Sequence, residues 1–413
     1  MNTSNLEKVI QQIASLEAEM IQFQQKITAI PALSPVNDGN GEWDKAMFIK
    51  NFLMGRGVTD ILQIDAPDER AKNGVRPNLI TRIKGLSSAK TIWLMGHMDV
   101  VPAGDLSKWD NDPWDAVVKD GKIFGRGTED NQQGVTSSIF TLLAFLDTGV
   151  QPAFDLAVII AADEETGSEF GLDYLMEQHK DLFRTEDIII VPDAGEPDSR
   201  MIEVAEKSIV WFRFRIKGIQ CHASLPAQGN NAFRAGAHLV TRLEQLYDIF
   251  DAQNTVFNPP TSTFEPTKKE ANVPNVNTIP GEDVFHLDCR LLPDYSIDEL
   301  FVAVQNICNG VENDFDVQIE IGTTQSAEAA PPTPNDAEVV KKLQVAIKNI
   351  YNVDAIPMGI GGGTVATTFR REGLPAAVWS TLADVCHQPN EYCVIEFMVN
   401  DAKVFAHVCL QDD

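Results

Sequence analysis

"FDLAVIIAADEE", residues 154–165, decides the fold. Apart from Asp155, its first nine residues are apolar, and three acids follow at once. A short, nearly unbroken apolar run reads as a strand buried on both faces, which is the habit of parallel sheets covered by helices. Asp163, Glu164 and Glu165 are adjacent carboxylates that repel one another. Placing them at the end of a buried strand costs free energy unless a positive charge lies opposite. The stretch therefore predicts a sheet and a cation at its carboxyl end.

The pattern recurs twice. "TIWLMGHMDVVP" (91–102) is apolar until His97 and Asp99, and "DIIIVPDAG" (187–195) runs apolar into Asp193. Helical periodicity occupies 134–149 and 170–183 between them. Strands alternating with helices predict an α/β fold with a mixed, mostly parallel sheet and helices on both faces. In such sheets ligands bind beyond the carboxyl ends of the strands. Upstream, the spacing predicts one amphipathic helix across the first thirty residues, on Leu6, Ile10, Ile13, Leu16, Met20, Phe23 and Ile27. A helix at 43–56 and strands near 60–65 and 78–84 follow.

Near residue 208 the pattern changes. "SIVWFRFRIKG" (208–218) alternates like a half-exposed strand. A helix at 231–250, two strands within 275–293 turning at Gly281, a helix at 296–311 and a strand at 315–322 complete a β-α-β-β-α-β order. That is a ferredoxin-like α+β unit. A proline-rich connector at 327–336 leads back. The expected organisation is a catalytic domain of 1–207 and 328–413, with 208–327 inserted as a lid and dimerisation domain.

The bulk numbers narrow the function. A chain of 413 residues is too long for one simple core. A formal charge of −27 repels polyanions, so nucleic acid is excluded as a partner. No run of about 18 apolar residues spans a membrane. The N-terminal segment lacks the basic start and apolar block of a signal peptide. Six cysteines without a C-x-x-C pair fit free thiols in a reducing cytoplasm. The glycine loop "GIGGGT" (359–364) lacks the G-K-[ST] ending of a phosphate loop, which excludes nucleotide binding of that kind. Arg370 and Arg371 read as surface charges, with specificity residues as the alternative.

His97, Asp130, Glu165, Asp193 and His387 are the candidate metal ligands. Singly, each reads as an ordinary polar residue. Jointly placed at strand ends they form a mixed nitrogen and oxygen set, which suits zinc and also cobalt or manganese.

"GHMDVVP" (96–102), "GRGTEDNQQG" (125–134), "DEETGS" (163–168), "VPDAGE" (191–196) and "CHQPNE" (386–391) follow one another in the order of a known family. The chain resembles cocatalytic-zinc metallopeptidase family 20, which includes succinyl-diaminopimelate desuccinylase, acetylornithine deacetylase, aminoacylase, carboxypeptidase G and bacterial dipeptidases. The resemblance implies two divalent ions bridged by Asp130. His97 and Asp193 would complete one, and Glu165 and His387 the other. Asp99 would hold the His97 imidazole, and Glu164 would act as general base on a water shared by the ions as it attacks an amide carbonyl. The Asp130–Asn131 peptide would be cis. "CHASLP" (221–226) matches the lid motif, which implies that His222 stabilises the oxyanion, often across a homodimer interface. Asn277 and Arg290 match positions that bind a substrate carboxylate, and Gly363 and Thr364 match a loop lining the pocket.

The chain also departs from relatives. Asn131, Gln132 and Gln133 stand where many carry a lysine, and "VATTFRR" replaces an Asp-containing run. The short lid points to a deacylase of small N-acyl amino acids, desuccinylase or deacetylase-like. "GGGT" and "HQPNEY" point to a dipeptidase. A catalytically inactive binding protein should have lost a ligand or the base, and none is missing. A phosphatase or nuclease should carry more basic residues.

Overall fold

The computed structural model describes residues 3–412. They form two compact units. One comprises residues up to Val204, Thr333–Met358 and Thr364 onward; the other comprises Ala205–Pro332 and Gly359–Gly363.

The first unit is built on an eight-stranded sheet. Its order is Ile61–Pro67, Val75–Ile83, Phe154–Ala161, Ser87–His97, Ile188–Gly195, Ala376–Ser380, Met201–Glu206, Ile356–Ile360. The four central strands, from Phe154–Ala161 to Ala376–Ser380, run parallel, and antiparallel strands flank them. The apolar runs are continuous because both faces are covered. On one face Trp93, Met95, Ile159 and Val191 pack with Leu172, Leu175, Phe183 and Phe369. On the other lies the helix Gln132–Thr148, so close that a Cβ on Gly96 would sit 2.9 Å from Val135 Cγ2. Fully burying each such side chain contributes about 1.5–3 kcal/mol.

The expected single N-terminal helix is two helices, Thr3–Ser15 and Glu17–Thr28, broken at Leu16. The apolar stripe continues through the break, and Ile13, Leu16, Met20, Phe23 and Ile27 are all buried. Leu16 itself stays in the right-handed helical region, at φ −90° and ψ −1°, and in the second helix Phe23 meets Phe48 and Phe52 as well as Phe140. Periodicity is blind to such a break because the buried face is the same on both sides.

The second unit is a four-stranded antiparallel sheet in the order Thr263–Lys269, Glu282–Leu291, Ser208–Lys217, Gln318–Ala327. Phe212 and Phe214 point into a core with Leu239, Phe285, Leu300 and Val304, beneath the helices Ala232–Leu243 and Ile297–Phe315. This is the ferredoxin-like order, with one correction. Its second strand is Thr263–Lys269, not a segment near 275–280. Thr278–Ile279 pairs instead with Cys221–His222. Thr263–Lys269 escapes the sequence pattern because Pro266 interrupts it and its surface is mostly polar, a combination that only an edge strand tolerates.

Candidate metal centre

The parallel strands deliver their ends to one side of the first unit. His97 ends Ser87–His97, Glu164 and Glu165 open a turn just past Phe154–Ala161, and Asp193 lies in Ile188–Gly195. Asp130 precedes the helix Gln132–Thr148, and its peptide bond to Asn131 is cis. His387 follows Ala376–Ser380 in a loop, at φ 61°.

Asp130 stands between the two imidazoles. Its Oδ1 lies 3.0 Å from His97 Nε2 and its Oδ2 3.1 Å from His387 Nε2. Asp193 Oδ1 is 3.4 Å from His97 Nε2, and Glu165 Oε2 is 3.2 Å from His387 Nε2. Five sequence-predicted ligands therefore converge as two overlapping groups sharing Asp130. Glu164 Oε2 lies 3.9 Å from His97 Nε2, and the donor atoms of His97, Glu164 and Asp193 fall within 4.8 Å of one another. Geometry alone thus offers Glu164 as a donor too. Glu165 Oε1 is buried and accepts no hydrogen bond from the described residues. An acceptor in that condition, among carboxylates that outnumber the imidazoles, fits a site for divalent cations.

The charges respond to this crowding. Burial pushes the Glu164 carboxyl up, and Asp193 adds to it, so the group titrates well above the usual carboxylate range. Burial also raises Glu165. Burial would raise Asp130 as well, but its hydrogen bonds to His387 and His97 outweigh that and hold it low. Hydrogen bonds to Asp130 and Glu165 bring His387 up to about 10.

A surrounding shell holds these groups. Asp99 Oδ1 lies 3.3 Å from His97 Nδ1, and its two oxygens also accept the N–H groups of Glu164 and Glu165 at 3.1 and 3.0 Å. Asn131 donates to Asp193 Oδ1 at 2.6 Å, and its own side-chain oxygen accepts the His97 N–H at 3.3 Å. Sequence reasoning missed three members. Glu391 accepts N–H groups of Gly127, Glu129 and Asp130 and pairs with Arg126 at 2.6 Å. Glu129 accepts the N–H groups of Ala383 and Val385, ahead of His387. Their one signal was position, inside the motifs that carry Asp130 and His387. The glutamines that replace a lysine serve packing. Gln132 accepts the Thr28 hydroxyl at 2.6 Å, and Gln133 donates to the Thr381 carbonyl at 2.7 Å.

Asp163 turns away from the centre, to Arg76 at 3.2 Å. Arg370 corrects the expectation of a surface charge: it is buried and forks onto Glu203 at 2.8 and 2.9 Å.

The remaining predicted residues belong to the second unit or border it. His222 is exposed, and its Nδ1 faces the Ser224 hydroxyl at 2.8 Å. Asn277 is exposed, and its carbonyl accepts the Ala223 N–H. Arg290 forks onto Asp288 at 2.7 and 3.0 Å and donates to the Gly361 carbonyl at 2.7 Å. A Cβ at Gly363 would point into open space. The Thr364 hydroxyl accepts the Ala366 N–H at 3.3 Å.

A family model described as Peptidase family M20/M25/M40 matches residues 93–411. An uncharacterized metallohydrolase of Methanococcus maripaludis is 37% identical over 417 residues, covering 95% of this chain and 99% of its own length. A succinyl-diaminopimelate desuccinylase of Wolbachia pipientis wMel is 24% identical over 94% of this chain and 90% of its own. The crystal structure of human carnosine dipeptidase 1 shares the fold, with a TM-score of 0.73 at 19% identity and 98% of each chain covered. The chain belongs to peptidase family M20/M25/M40 and is a metal-dependent hydrolase.

Proposed function

We propose that the chain is a two-metal amidohydrolase that cleaves the amide bond of a small N-acyl amino acid. One observation carries the reading: the two carboxylate oxygens of Asp130 each face a different histidine, at 3.0 and 3.1 Å, and each histidine has a further acid beside it. His97, Asp130 and Asp193 would hold one cation, and Asp130, Glu165 and His387 the other. Bound divalent ions, zinc first and cobalt or manganese as alternatives, would supply Lewis acidity and lower the pKa of the attacking water.

The chain's residues do the rest. Glu164 takes the proton from the water and returns it to the leaving amine, a role open to a carboxylate whose donor atom lies within 4.8 Å of those of His97 and Asp193. Asp99 orients the His97 imidazole and, through two backbone N–H groups, the turn that carries both glutamates. His222 would steady the developing oxyanion from a second copy in a homodimer through the second unit. Arg290 and Asn277 would bind the substrate carboxylate, which must then compete with Asp288 for the Arg290 fork.

Similarity to a desuccinylase supports the acylated substrate. Shared fold with a dipeptidase supports a second reading, cleavage of free-amine dipeptides. Zinc- or cobalt-loaded protein should hydrolyse N-succinyl-diaminopimelate, N-acetylornithine or simple N-acetyl amino acids in preference to dipeptides. The opposite preference selects the second reading. Glu164→Ala should abolish turnover and spare metal content; retained turnover would sink the mechanism.

A further inference from the structure

We infer that Arg76 is a positioning residue for the Glu164–Glu165 turn, acting through Asp163. This rests on the reading that Glu165 holds a cation and Glu164 handles the proton. Arg76 lies in the strand Val75–Ile83 and is fully buried. Its guanidinium gathers acids from three segments. Nε donates to Glu42 Oε2 at 2.6 Å, and Nη2 reaches both the other Glu42 oxygen and, at 3.2 Å, Asp163 Oδ1. Nη1 lies 3.6 Å from Asp68 Oδ2, and Asp68 has a partner of its own in Arg70 at 2.8 Å. The net demand on Arg76 thus comes from Glu42 and Asp163. A planar fork can meet two carboxylates at once where an ammonium, as a point charge, cannot.

Asp163 in turn closes the loop that follows. It sits at φ 62°, in the left-handed region that Asp and Asn enter more readily than other non-glycine residues. Its Oδ2 accepts the Phe170 N–H at 3.1 Å, its Oδ1 accepts the Thr166 hydroxyl, and its carbonyl accepts the Ser168 N–H at 2.7 Å. Glu164 and Glu165 are therefore held from two sides. Asp99 takes their N–H groups on one side, and Arg76 anchors the preceding residue on the other. Loosening the Arg76 side should let the turn rotate about the Asp99 contacts and carry Glu165 away from His387.

The test uses the full chain with Asp163→Asn and Arg76→Lys, and Glu165→Gln as a control. Asp163→Asn keeps the Arg76–Glu42 pair, so it isolates the anchor, and Arg76→Lys keeps the charge without the fork. Cobalt binding is followed by visible absorption and by competition with a chelator, alongside kcat, KM and thermal unfolding of the metal-free protein. Both anchor variants should bind the second cobalt equivalent roughly 10-fold or more weakly, as loss of an outer partner does elsewhere. They should lose a similar factor in kcat with KM within about twofold. Cobalt binding and kcat within twofold of the parent in both would overturn the inference. If Glu165→Gln binds cobalt like the parent, the ligand reading itself fails. If only that control loses cobalt, the ligand reading stands and the positioning role of Arg76 falls.

Discussion

Glu391 offers the sharpest test of how the centre is held. Its carboxylate is fully buried and meets four donors: Arg126 Nη1 at 2.6 Å, and the N–H groups of Gly127, Glu129 and Asp130 at 3.0, 2.9 and 3.1 Å. Glu391→Gln preserves shape but turns one acceptor oxygen into an amide donor. Whichever way the amide lies, its NH2 group faces two donors. Each buried donor left unmatched costs about 1–3 kcal/mol, and unpairing a buried charge such as Arg126 costs about 3–5 kcal/mol. These overlap, so the expected loss is about 3–5 kcal/mol. Against a typical total of about 5–15 kcal/mol, that is large.

Urea unfolding of the metal-free protein reads the loss. Hydrogen–deuterium exchange in the peptide covering 125–131 reads where it falls. Arg126→Met on the Glu391→Gln background should restore part of the stability, because it removes the stranded charge. A loss below about 1 kcal/mol, or strictly additive single variants, would refute the argument, since a carboxylate with four real donors must couple to them. Turnover should fall as well, because the Asp130 N–H is one of the four.

Two further predictions concern groups that border the centre. Burial pushes the Lys45 ammonium down to about 8, and its Nζ has no hydrogen-bond partner among the described residues. Between about pH 8 and the usual value of 10.5 the unfolded chain binds the extra proton, so stability attributable to Lys45 should rise with pH across that window, by about 3 kcal/mol, and be flat below it. Lys45→Met should be the more stable form at pH 7, with the advantage gone by about pH 10.5; parallel stability curves would refute this. Gly134→Ala would set a Cβ 2.3 Å from the Pro192 carbonyl oxygen and within 3.0 Å of the Asn131 amide. It should cost about 1–3 kcal/mol in thermal unfolding and weaken cobalt binding through Asp193, whereas a neutral substitution would mean that the helix and strand have room to part.

The strand-end acids were legible because a parallel strand buried on both faces must be apolar throughout. Any charge it carries is pushed to its end, and parallel neighbours share one end. His97, Glu164, Glu165 and Asp193 follow from that rule; Asp130, ahead of a helix, and His387, in a loop, were candidates that lie outside it, and the motif resemblance gave them their place in the set. The ferredoxin-like order was legible for a different reason: an antiparallel sheet covered on one face alternates apolar and polar, as 208–217 does. Other features were decided only by tertiary structure. Glu391 meets Arg126 across 265 positions, Arg370 meets Glu203 across 167, and Asp163 meets Arg76 from another strand. The break at Leu16 and the edge strand Thr263–Lys269 are of this kind too. Periodicity reports which face of an element is buried. It carries no record of which element covers that face, and the pairing of buried charges depends on that.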